Sequence, residues 1–458
     1  MRGREEPRSR LTHREVLAIA VPITLSNVST PLLGVVDTAV MGRMGDPAYI
    51  GAVALGALVF SFAFWAFGFL RMGTTGLTAQ AFGANDEVEI RAALGRATLI
   101  AALIGVALVA LQWPIREIAF TLLGAGEKVE GLARIYFDIR IWAAPATLLN
   151  YALFGWFIGL GNARIALVLQ LILNALNMLL DVVLALGLDM GVAGVALGTL
   201  IAEFAAAAAG LLYAVRSMAR GTGGWTLRRV LDAEKLRRTL AVNRDIMIRS
   251  LALMVAFAWF MAHGAKQGDT TLAANALLMQ FITVAAFILD GLAFAAEAQV
   301  GRAVGAGDRS RLIAAIRITT VWAAGFALLA SALFALTGPV IIDFLAVDPA
   351  TRAQARTYLP WAAWAPLAGV WCFQLDGIFI GATRTAEMRN AMLLALAIFL
   401  AAWWLLTPFG NTGLWAALMV HYAARAGTLL AYVRALLRGT PAGRQLRGGA
   451  AQEPSDAR

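Results

Sequence analysis

The sequence predicts an all-α polytopic membrane protein, with twelve transmembrane helices in two six-helix lobes. Three observations lead there. The 458 residues are 60% hydrophobic and only 14% charged, with a mean hydropathy of +0.73, whereas a soluble domain carries about 25% charged residues. Apolar runs of about 20 residues, enough to cross a bilayer as a helix, recur from end to end. The alternating pattern of an outer-membrane barrel is absent.

Glycine, proline and charge punctuate these runs into spans at 15–42, 49–82, 91–113, 131–159, 163–188, 191–217, 241–264, 270–304, 311–337, 355–381, 387–408 and 411–437. The longest polar interruption, Arg216 to Asp245, divides them six and six. The expected organisation is a tail at 1–14, an N-terminal lobe at 15–217, a linker at 218–240, a C-terminal lobe at 241–437 and a second tail at 438–458. The basic, polar N-terminus runs into span 1 without a small-residue cleavage site, so it reads as a signal anchor.

The formal charge of +10 and pI near 10.4 invite a nucleic-acid reading, which the positions of the charges argue against. Arg91, Arg164, Arg309, Arg311, Arg384, Arg389, the linker arginines and those of both tails fall on one side of a twelve-span count. The opposite loops, such as Gly45–Tyr49 and Lys266–Asp269, carry few. That asymmetry is the positive-inside pattern, and it predicts an inner-membrane protein with both termini cytoplasmic. Cys372 is the only cysteine, which excludes an intramolecular disulfide and a multi-cysteine metal site.

The halves repeat. Thr78–Asp86 (TAQAFGAND) matches Val300–Asp308 (VGRAVGAGD), and Gly155–Gly159 (GWFIG) matches Gly377–Gly381 (GIFIG). Both matches are displaced by 222 positions, from 78 to 300 and from 155 to 377. Because six spans is an even number, the repeats share one orientation and are related by a pseudo-two-fold axis along the membrane normal. Such a duplication suggests a secondary transporter; no Walker, haem or zinc motif points to ATP-driven or redox chemistry.

Span 5 carries Asn174, Asn177 and Asp181. At about 100° per residue these fall on one narrow stripe, and an Asp at mid-bilayer costs on the order of 2.5–3.5 kcal/mol. The stripe is therefore expected to face the interior of the lobe. Interhelical hydrogen bonding is the plainer role for the two asparagines.

The chain resembles the multidrug and toxic compound extrusion (MATE) transporters, specifically their DinF-like branch. The likeness rests on PITLSNVSTPLLGVVDTAVMGRMG in span 1, the paired AFGAND and AVGAGD turns, LNMLLDVVLALGL in span 5 and LDGIFIGATRTAEMRN across spans 10 and 11. It implies a cation or proton site in the N-terminal lobe at Asp37, Asn177, Asp181 and Thr199, and bending of span 1 at Pro22. The chemistry is coherent on its own terms. Two carboxylates in a poorly solvated lobe repel when both are ionised, so the pair can take up and release one shared proton near neutral pH. The neighbouring oxygens leave sodium as the alternative ion at the same four residues.

Secondary candidates are Asn174 and, in the C-terminal lobe, Asp376, Asp290 and Glu297. Span 7 lacks the carboxylate that NorM-like relatives pair with an Asp in span 10, which weakens a sodium site there. Arg71, His421 and Arg425 are read as structural partners. The expected function is a proton-coupled antiporter, not an enzyme, exporting amphipathic, cationic or lipophilic compounds by alternating access. Sodium coupling and a lipid-linked oligosaccharide flippase of the same superfamily are the alternatives. No cofactor is expected, nor any partner beyond substrate and membrane lipids, and the chain is expected to act as a monomer.

Overall fold

The computed structural model describes residues 11–219 and 227–438. The expectations for 1–10, 220–226 and 439–458 lie outside the described residues. Twelve long helical segments follow one another: α1 His13–Gly42, α2 Pro47–Gly83, α3 Glu87–Ala110, α4 Glu127–Gly159, α5 Ala163–Gly187 and α6 Gly191–Met218, then α7 Ala233–Ala265, α8 Asp269–Gly305, α9 Arg309–Leu345, α10 Pro349–Gly381, α11 Thr385–Leu406 and α12 Gly410–Arg438. The last two share one apolar stretch of 54 residues. At 1.5 Å per residue that is far more than one bilayer needs, and a 3₁₀ turn at Thr407–Phe409 followed by Gly410 (φ 57°) divides it. Side chains such as Leu336, Phe344 and Trp404 are 70–87% exposed, as lipid-facing surface must be.

Local chemistry sets the helix starts. Asp86 caps α3 by accepting from Glu89 N (2.9 Å), and Asp308 caps α9 by accepting from Arg311 N (2.9 Å). Asp348, followed by Pro349 at the first helical position, accepts from Thr351 N (2.8 Å) to open α10. Each cap satisfies an N–H that the first turn leaves without an intrahelical partner.

The internal repeat holds in three dimensions at the same displacement. A Cβ on Gly83 would strike the Arg302 backbone, and one on Gly305 would strike the Gln80 backbone, a reciprocal close crossing of α2 and α8. Likewise, Gly155 lies against the Arg71 backbone and Gly377 against that of Ala293. Only glycine permits backbones to approach so closely.

Contacts divide the chain into two compact units. The N-terminal unit is Pro22–Thr78 with Asp86–Met247; the C-terminal unit holds the described residues up to Val21, Ala79–Asn85 and those from Ile248 onward. The start of α1 thus belongs with the second half, where Glu15 pairs with Arg311 (3.1 Å) and His13 Nδ1 accepts from Trp322 Nε1 (3.0 Å).

In the N-terminal unit, a short amphipathic helix, Gln112–Leu123, follows α3. Arg134 of α4 grips its Glu117 through two hydrogen bonds (2.6 and 3.0 Å), and its Arg116 reaches Asp138 (2.6 Å). The Arg134 guanidinium holds the Glu117 carboxyl below its ordinary range.

Candidate functional site

Two of the four segments around the predicted stripe, α4 and α5, are irregular beside it. α1 runs unbroken through Pro22 and Pro31 to Asp37. α4 is interrupted by a 3₁₀ turn at Ile141–Ala143, just after Arg140 and just before Pro145, whose missing N–H cannot continue the ladder. α5 widens into π-helix at Asp181–Gly187, a form found most often at functional positions. α6 meets this wide turn with glycines: Gly194 faces the Ala185 backbone, and a Cβ on Gly198 would lie 2.6 Å from Asp181 Oδ1.

Together these elements bring Asp37, Asn177, Asp181 and Thr199 to one place. The Asp37 and Asp181 carboxyls lie within hydrogen-bond reach of each other. The Asn177 amide stands between Asp181 and Thr199: with its N–H turned to donate to Asp181 Oδ2 (2.9 Å), its oxygen accepts from Thr199 Oγ1 (2.9 Å) and Thr199 N (3.1 Å), and in the opposite orientation its N–H donates to Thr199 Oγ1 (2.9 Å). Asn177, Asp181 and Thr199 are buried, and Asp37 is half-buried. One oxygen of each aspartate, Oδ1, is buried and accepts from no donor. Two carboxyls this close, each with one oxygen that accepts from no donor, favour a proton or a cation between them.

Asn174 sits one turn earlier on α5, donating to Ser29 Oγ and accepting from Gln170 (both 2.9 Å). That is the interhelical role weighed from the sequence. Pro22 lies in α1 at the first residue of the N-terminal unit.

Three residues that sequence reasoning passed over belong to the same neighbourhood. Arg140 acts electrostatically on both aspartates and bonds the Tyr136 hydroxyl. Glu203, one turn beyond Thr199, accepts from Asn150 (2.7 Å). The available signal was an ionisable residue inside a span, which Arg140 and Glu203 both satisfy.

In the C-terminal unit, Asp376 is buried beneath two arginines, Arg249 and Arg425 (2.8 Å to Arg425). Arg425 therefore has the partner expected of it, whereas Arg249 went unremarked. His421 is buried, with Nδ1 3.3 Å from the Ala395 carbonyl. Glu297 is buried on α8, seven positions after Asp290. α7 begins at Ala233 rather than 241, so the buried Asp245 falls within that helix; the apolar run alone marks only its later part.

A family model described as MatE matches residues 22–183 and 246–403. The chain is 43% identical over 417 residues to DNA damage-inducible protein F of Escherichia coli (strain K12), spanning 91% of each protein. It is 28% identical over 437 residues to a probable multidrug resistance protein NorM of Rhodopseudomonas palustris, spanning 91% of this chain and 90% of that one. Among solved structures, a MATE protein in its bent conformation matches with a TM-score of 0.85 at 18% identity, over 96% of this chain and 97% of that one. A MOP superfamily transporter from Pyrococcus furiosus matches at 0.84 and 17%, over 93% and 96%.

Proposed function

This chain belongs to the MatE family of multidrug and toxic compound efflux transporters, and from that premise we propose that it exports amphipathic, cationic or lipophilic compounds from the cytoplasm in exchange for protons. The observation that carries the choice of ion is the Asp37–Asp181 contact, with a buried oxygen on each side that accepts from no donor. A single proton between the carboxyls satisfies both oxygens and removes the repulsion. Sodium would use the same two oxygens and would need further oxygen ligands beside them, whereas one shared proton needs none.

In this mechanism, proton entry from outside takes the pair from two negative charges to one, relieves the repulsion and lets α1 bend at or near Pro22. The substrate cavity contracts and substrate leaves, and loss of the proton to the cytoplasm resets the unit. The ion moves this equilibrium only through its different affinities for the two states. The reading includes an inner-membrane location with both termini cytoplasmic, supported by the arginine distribution. It also includes action as a monomer, since one unit of one chain supplies all four site residues.

The test is export by purified protein in liposomes with proton and sodium gradients imposed separately. Transport should follow the pH gradient and ignore sodium. Export driven by an inward sodium gradient at matched pH would assign the same residues to a sodium cage.

A further inference from the structure

Arg140 is a cation without a counter-ion in a unit that holds three intramembrane carboxylates, Asp37, Asp181 and Glu203, besides Asp138, which is paired with Arg116. Its guanidinium is hydrogen-bonded to the Tyr136 hydroxyl and lies 5.0 Å from the Phe60 ring centroid and 5.5 Å from that of Tyr136. Its charge is felt by Asp37 on α1, Asp181 on α5, Glu203 on α6, and Tyr136 and Tyr151 on its own helix. Among the described residues it nevertheless forms no ion pair. A guanidinium stays charged in any protein environment, and in a poorly solvated place two aromatic faces and one hydroxyl return only part of its desolvation cost.

The three carboxylates are not equivalent as partners. Glu203 already accepts from Asn150. Asp37 and Asp181 each keep a buried oxygen with no donor. A proton leaving the aspartate pair adds one negative charge within the field of Arg140, and an ion pair to that charge then outweighs the aromatic seat. A returning proton removes that added charge and weakens the attraction, which leaves the aromatic seat the better place. The position on the chain suits a side chain that changes partners, because Arg140 is the last residue before the 3₁₀ turn that interrupts α4.

We propose that Arg140 is the internal counter-ion of the coupling site. It competes with the proton for Asp37 and Asp181, engaging the carboxylates when the proton leaves and withdrawing to Tyr136 and Phe60 when it returns. This rests on the proton-coupled reading and adds to it a residue that sets the pH at which the site empties.

The experiment follows the carboxylic-acid band of the full-length protein in lipid nanodiscs by infrared difference spectroscopy across pH, with Asp181→Asn assigning the band. Arg140→Gln should move its midpoint upward by at least about one pH unit, a tenfold rise in proton affinity. Arg140→Lys, which keeps the charge, should stay closer to wild type. Tyr136→Phe removes the resting partner and should move the midpoint downward, and it serves as the test if Arg140→Gln does not fold. A merely structural Arg140 would lower the amount of folded protein and leave the midpoint in place; an unmoved midpoint in Arg140→Gln, or in Tyr136→Phe where that is the variant measured, overturns the proposal. Wild-type transport driven by sodium, with the midpoint still shifted by Arg140→Gln, would defeat the proton-coupled reading alone. Proton-driven transport with an unshifted midpoint would defeat the Arg140 proposal alone.

Discussion

Replacing Gly198 by alanine is the smallest change that should disable the N-terminal site without altering a polar atom. An added Cβ would stand 2.6 Å from Asp181 Oδ1, 3.2 Å from Leu180 Cβ and 3.4 Å from Asp181 N. To reach ordinary contact at 3.4 Å the carboxylate must retreat by roughly 0.8 Å, and Leu180 can give little because its Cβ is fixed to the backbone. Overpacking of this kind costs about 1–3 kcal/mol, while alanine in a helix returns about 1 kcal/mol over glycine. The net destabilisation is about 0–2 kcal/mol, which leaves the protein folded. Geometry suffers more than stability, since the displaced atom is one of the two oxygens that accept from no donor. Export in liposomes should fall about tenfold or more, as misplacements near 1 Å do at reacting groups, with a nearly unchanged unfolding midpoint. Gly325→Ala, where an added Cβ meets nothing within 4 Å, is the control: export should stay at the wild-type level and the unfolding midpoint should stay or rise slightly. Wild-type export by Gly198→Ala would refute the claim that the α5–α6 approach positions Asp181.

Asp37→Asn and Asp181→Asn should each insert and fold yet lose coupled export, because an amide carries no exchangeable charge; counterflow and purification yield report the two halves of that statement. Gly83→Ala and Gly305→Ala each drive a Cβ into backbone rather than into a rotatable side chain, so both should destabilise by about 1–3 kcal/mol in thermal unfolding, and to a similar degree. The Glu117 carboxyl is held below its ordinary range by Arg134. Its contribution is therefore present above the usual carboxylate range and lost as pH falls through the lowered value. The protection factors of the Gln112–Leu123 amides, which correct for the intrinsic pH dependence of exchange, should fall on acidification from about pH 7 to about pH 3, and Glu117→Gln should show the lowered protection at neutral pH.

Most helix boundaries were readable because the bilayer imposes one period and one length. The misses are those of hydropathy standing in for helix. α7 starts eight residues early on the polar turns Ala233–Leu240, and α9 continues through Gly338 and Pro339 to Leu345. The stripe of Asn177 and Asp181 was visible as a pattern. The π-helical turn that starts at Asp181 was not: it lies against Gly194 and Gly198 of α6, a tertiary approach that no local pattern announces. Arg140 and Glu203 were overlooked although each lies inside a span, since their meaning comes from the side chains around them. Asp376 carried no sequence signal that two arginines, 127 and 49 positions away, would share it.

The division into two units has a mechanical corollary. The chain passes from one unit to the other at four places: after Val21, after Thr78, after Asn85 and after Met247. Only the third is a turn, where Asn85 has a left-handed backbone (φ 55°). The other three lie inside α1, α2 and α7, with no loop to absorb rotation. Of the three, only α1 carries a proline at the crossing, Pro22, where one backbone hydrogen bond is already missing and the helix bends at least cost; Asp37 stands about four turns further along that same helix.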